Sequence, residues 1–70
     1  MTYTVVIEKT DTGFGIHVPD LPGCVATGKT RELAVERITE AIRIHVLGCR
    51  EDGLQIPVPS TTAESITVES

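Results

Sequence analysis

The chain begins with an alternation. Tyr3-Thr4-Val5-Val6-Ile7-Glu8 is rich in β-branched residues and puts Tyr3, Val5 and Ile7 on one face, so it predicts a first strand. Val6 points the other way and partly covers the opposite face. Lys9-Thr10-Asp11-Thr12-Gly13 is polar, ends in glycine and suits a hairpin loop. Phe14-Gly15-Ile16-His17-Val18 alternates again, which predicts a second strand with Phe14, Ile16 and Val18 toward the core and Gly15 and His17 away from it. Pro19-Asp20-Leu21-Pro22-Gly23 is a rigid, shaped connection, because two prolines remove two ladder donors and glycine admits positive φ. Cys24-Val25-Ala26-Thr27 fits a short third strand.

From Arg31 to about Glu51 the period changes to that of a helix, with Thr30 as N-cap and Glu32 in the first turn. Ala34, Ile38, Ala41, Ile42, His45 and Cys49 fall within about 100° of arc, flanked by Val35 and Val46, and this stripe is expected to lie on the sheet. Gly53 marks the helix stop. Leu33, Ile44 and Leu47 gather on the opposite side of the helix and are the expected subunit contact. Leu54-Gln55-Ile56-Pro57-Val58-Pro59-Ser60 reads as extended, and Glu64-Ser65-Ile66-Thr67-Val68-Glu69 alternates as a last strand. The expected fold is α+β in the order β-β-β-α-β: an antiparallel three-stranded meander, one helix packed on it, and a C-terminal strand brought parallel to strand one by a right-handed crossover.

Seventy residues make one domain, residues 1–70. A chain this short buries only roughly 60% of its unfolded surface, so self-association or a bound partner is expected. With 40% hydrophobic but only 3% aromatic residues, the core must come from Val, Ile, Leu and Ala. No stretch of about 20 apolar residues offers a membrane span. The N-terminus enters a strand with no basic n-region, which predicts a cytoplasmic protein and reduced thiols at Cys24 and Cys49. The net charge is −4, and its placement is uneven. Residues 1–50 hold six acids and all six bases; residues 51–70 hold Glu51, Asp52, Glu64 and Glu69 with no base. That distribution argues against direct nucleic-acid binding by this chain alone and suits a basic protein partner.

Catalytic and metal chemistry find little support. His45 lies mid-stripe as a core residue, and His17 has no carboxylate or nucleophile with a fixed place beside it. Cys24, Cys49, His17 and His45 lack the close ligand pairs of a zinc site. Two-metal nuclease chemistry, the use to which a full ribonuclease H fold puts this element order, needs converging carboxylates. Here Glu8 stands alone at a strand end, and Glu40 is read as pairing with Arg37 and Arg43 on the helix surface. No enzyme activity, metal or cofactor is expected.

Gly13-Phe14-Gly15-Ile16-His17-Val18 followed by Pro19-Asp20-Leu21-Pro22-Gly23-Cys24 resembles the HicB antitoxin family. The helix opening Thr30-Arg31-Glu32-Leu33-Ala34, the run Glu40-Ala41-Ile42, and the exit Glu51-Asp52-Gly53 with Ile56-Pro57-Val58-Pro59 extend the likeness over roughly residues 3–60. The resemblance implies a partial ribonuclease H-like fold without nuclease carboxylates. It also implies an antitoxin that covers HicA, a small basic mRNA-cleaving ribonuclease with a double-stranded-RNA-binding-like fold. Many family members carry a C-terminal helix-turn-helix or ribbon-helix-helix segment that binds the promoter; the eleven residues after Pro59 suffice for a strand. Leu33 stands where the family pattern has an acid. The residues expected to touch the toxin are His17, Asp20, Leu21, Pro22 and Gly23. A free-standing homo-oligomeric module with no toxin, joined through Leu33, Ile44 and Leu47, is the alternative.

Overall fold

The computed structural model describes residues 1–69. Three strands, β1 (Val6–Lys9), β2 (Phe14–His17) and β3 (Val25–Gly28), form an antiparallel sheet in the order β1-β2-β3, followed by the helix α1 (Arg31–Glu51). Ile7 stands opposite Ile16, and Ile16 opposite Ala26. The inward row therefore carries the apolar residues, as the alternation predicts. The core is Ile16, Val18, Leu21, Cys24, Ala34 and Ile38, with Tyr3, Val5, Ile7, Phe14 and Ala26 packed around it.

The helix has the predicted bounds, and its ends are chemically specified. Thr30 Oγ1 accepts from the Leu33 N–H at 3.1 Å. At the other end Gly53 adopts φ 68°, the Leu54 N–H donates to Cys49 O, and the Gly53 N–H donates to Arg50 O. That pair of bonds is a Schellman motif, which satisfies carbonyls the helix leaves open. The N-terminal half lies on β3 and β2, burying Ala34 and Ile38.

The buried stripe is shorter than the periodicity predicts. His45 and Cys49, expected in the core, are only half-buried. The reason is length. A helix of 21 residues is about 31 Å long, whereas strands of four residues span about 13 Å, so the C-terminal half of α1 overhangs the sheet.

The expected fourth strand is the largest correction. No residue from 54 to 69 belongs to a ladder, and Ile66 and Val68 are 77% and 79% exposed. Residues 57–61 do pass beside the chain just before β1: the Tyr3 hydroxyl donates to Pro57 O, and Thr4 Oγ1 donates to Thr61 O at 2.8 Å. Pro57 and Pro59 have no N–H to give a ladder, so side chains hold this segment instead. Beyond Thr61 every described residue is exposed. The pairing expected of Arg37 with Glu40 is also absent. Arg37 Nη1 donates to Thr27 O at 2.9 Å, while Arg43 alone bridges Glu40 at 2.9 Å.

Candidate protein-interaction surfaces

The Val18–Cys24 connection is built from two successive tight turns. The Leu21 N–H donates to Val18 O at 3.1 Å, and the Cys24 N–H donates to Leu21 O at 3.0 Å. In the second turn Pro22 and Gly23 occupy the central positions, with Gly23 at φ 80°, the arrangement of a type II turn. Val18 N–H to Cys24 O, 3.1 Å, closes the base. This geometry divides the loop residues sharply. Leu21 is pulled inward and is 0% exposed, so its side chain is a core element and not the surface contact expected from sequence. Pro22 and Gly23 are exposed at the tip.

Asp20 has work inside its own chain. Its carboxylate accepts from Thr61 Oγ1 at 2.7 Å, the Thr61 N–H at 2.9 Å, the Ser60 N–H at 3.0 Å and Ser60 Oγ at 3.1 Å. Donation from the Thr61 backbone, then the Thr61 hydroxyl and the Ser60 backbone, lowers its pKa from 3.8 to about 2. Asp20 thus fastens the segment after the helix onto the loop between β2 and β3. Because its folded pKa is depressed, this stabilisation is complete above pH 3.8 and is lost as pH falls toward 2. Asp20→Ala is expected to raise the amide exchange rates of Ser60 and Thr61 at neutral pH by at least about tenfold while sparing Ile16. Acid should loosen the same segment in the unaltered chain across that window, read by NMR as lost protection of Ser60 and Thr61 relative to their intrinsic exchange rates at each pH.

His17 lies half-buried on the sheet face away from the helix. It stands opposite Val6 on one side and Val25 on the other, so Val6, His17 and Val25 form one row across all three strands. Glu8, Gly15 and Thr27 form the next row. Among the described residues no element covers this face, and Val25 is 65% exposed. The tip carrying Pro22 and Gly23 joins β2 to β3 at the His17–Val25 end, so tip and row share one edge of the molecule. Sequence reasoning placed His17 here and missed Val25. Its signal is an apolar residue out of phase with inward-facing Cys24 and Ala26.

A second exposed surface follows the overhanging half of α1. Ile44 and Leu47 are 63% and 53% exposed, whereas Leu33, grouped with them by periodicity, is half-buried. Beside them runs a groove of about 500 Å³ lined by Met1, Tyr3, Thr39, Ile42, Arg43, Val46, Leu47 and Arg50.

Burial pushes the Cys24 thiol pKa up, which keeps it protonated and unsuited to nucleophilic work. Among the described residues no three or more His, Cys, Asp and Glu side chains are grouped to hold a metal ion. Among the same residues no helix is long and apolar enough to cross a membrane.

Comparison with known proteins accounts for most of the chain. The family described as HicB-like antitoxin of bacterial toxin-antitoxin system matches residues 3–69. A UPF0150 protein of Thermoplasma acidophilum is 41% identical over 71 residues, covering 100% of both chains. Antitoxin HicB 2 of Photorhabdus laumondii is 35% identical over 65 residues, which are 93% of this chain and 47% of that protein. This chain thus spans all of one relative and about half of the other. A solved chain from a HicA3 and HicB3 toxin-antitoxin complex superposes with a TM-score of 0.71 at 30% identity, covering 86% of this chain and 70% of that one.

Proposed function

The chain belongs to the HicB-like antitoxin family, and from that premise we propose that it binds and covers a small basic HicA-type ribonuclease. The observation that carries this reading is the likeness in fold and sequence to a chain of a toxin–antitoxin complex. The chain's own surface has a chemistry suited to that contact. Val6, His17 and Val25 form a flat row of apolar and aromatic character on an uncovered sheet face, with Glu8 in the row beside it. Pro22 and Gly23 extend that surface as a rigid tip at little ordering cost, since proline and the turn bonds already fix them. Leu21 and Asp20 serve the site indirectly, one by anchoring the tip in the core and the other by tying down the exit segment. The antitoxin acts by occupying the toxin's surface, without catalysis of its own.

The surface assignment is open to a direct test. Val25 is largely exposed, so Val25→Lys should leave the fold intact while setting a cation against a basic partner. The dissociation constant for a HicA-type ribonuclease, measured by calorimetry, is expected to rise by at least about tenfold. Arg31→Glu, on the helix and away from the open sheet face, should leave it unchanged. Equal affinity for Val25→Lys and the unaltered chain would move the contact elsewhere.

A further inference from the structure

The exposed tail and the groove along α1 fit each other in chemistry but do not meet within one molecule. The radius of gyration is 14.0 Å and the long axis 50 Å, whereas a compact domain of this length has a radius of gyration of about 11 Å. The chain is tied to its own domain as far as Thr61, through Asp20 and Thr4; after that it forms no hydrogen bond with the rest of the protein among the described residues. It is therefore an arm. Two β-branched residues, Ile66 and Val68, lie on one side of it with more than three-quarters of their surface in water. Glu64 and Glu69 flank them.

The groove has the converse character. Its floor is Tyr3, Ile42, Val46 and Leu47, and its rim carries Arg43 and Arg50. Arg43 is engaged only by the exposed Glu40, a pair worth little in water, and Arg50 forms no ion pair among the described residues. Arg43 and Arg50 are seven residues apart, so they stand on one side of the helix. Glu64, Ile66 and Val68 share one side of an extended arm, so a carboxylate and two apolar side chains face the same way.

We propose that the arm Glu64–Glu69 of a second copy lies in this groove, with Ile66 and Val68 on its apolar floor and Glu64, on the same side of the arm, against the arginine rim of Arg43 and Arg50. The exchange is reciprocal about a two-fold axis, so it closes at a dimer. It leaves the sheet face of Val6, His17 and Val25 free and is independent of toxin binding.

The full chain at high micromolar concentration should sediment at twice its 7.5 kDa mass. Ile66 and Val68 are exposed in the single molecule, so Ile66→Asp with Val68→Asp should keep the circular dichroism spectrum and weaken dimerisation about a hundredfold or more. Arg50→Glu should weaken it as well, and Arg50→Glu combined with Glu64→Arg should restore it. A monomeric unaltered chain would overturn the proposal. So would a dimer that survives Ile66→Asp/Val68→Asp, because another surface would then hold it.

Discussion

Leu21→Ala is expected to remove more than half of the protein's stability. Leu21 and Ile38 are the largest side chains with essentially no exposure, and Leu21 sits between two tight turns that cannot collapse inward to fill a void. Truncating such a leucine costs about 3 kcal/mol. A domain of this size has total stability on the order of 5 kcal/mol, so the urea midpoint should fall by more than half. Leu21→Met keeps the volume and should cost about 1 kcal/mol. If Leu21 instead served as a surface contact, alanine would change binding and leave the urea midpoint alone. The two measurements separate a core leucine from a surface one inside the most recognisable motif of the chain.

Gly28→Ala is expected to have an effect of similar size by the opposite mechanism. Gly28 ends β3 and is buried where α1 begins. A methyl group on it would stand 2.6 Å from the Ala34 backbone nitrogen and 3.0 Å from the Ala34 Cα. Those are backbone atoms of the first helical turn, so relief requires the helix to lift off the sheet and disturb Ala34 and Ile38. Overpacking of this kind costs on the order of 3 kcal/mol. Gly48 supplies the control within the same chain. It lies inside α1, and a methyl group there meets nothing within 4 Å. Gly48→Ala should raise stability by about 0.5–1 kcal/mol through helix propensity. Thermal unfolding of the two variants should therefore move in opposite directions from the same substitution.

What could be read from the sequence depended on how local the cause was. The three strands and the helix follow from alternation, from the 3.6-residue period, and from Thr30 and Gly53 at the ends, all of which act within a few residues. The Pro-Asp-Leu-Pro-Gly-Cys block was recognisable as a family signature and as a rigid connection, and its double-turn geometry fits that reading. Its division of labour was not legible. Whether Leu21 points in or out depends on which turn it closes, and Asp20 finds its partners Ser60 and Thr61 forty residues away. His45 and Cys49 carry the periodicity of a buried stripe, but periodicity says nothing about how far the sheet reaches beneath a helix. The tail shows the same limit. Ile66 and Val68 alternate as in a strand, yet alternation does not supply a ladder partner, and the prolines at 57 and 59 remove donors where the tail passes the start of the sheet.

The candidate surface was legible in part. His17 falls on the outer face by parity alone. Val25 joins it only through the pairing of β2 with β3, which fixes their register. The Pro22–Gly23 tip acquires a place beside them because the loop connects those two strands. The function itself came from resemblance rather than from any constellation of reactive groups, and the sheet face of Val6, His17 and Val25 is the surface proposed for it.

The central claim is that this chain silences a ribonuclease by covering it. The most direct measurement follows cleavage of a synthetic mRNA by a HicA-type ribonuclease while the chain is added in increasing amounts. The account predicts that cleavage stops once the antitoxin equals the toxin in molar amount, and that Val25→Lys shifts the inhibition curve to higher concentration. Undiminished cleavage at a large excess of folded protein would contradict it.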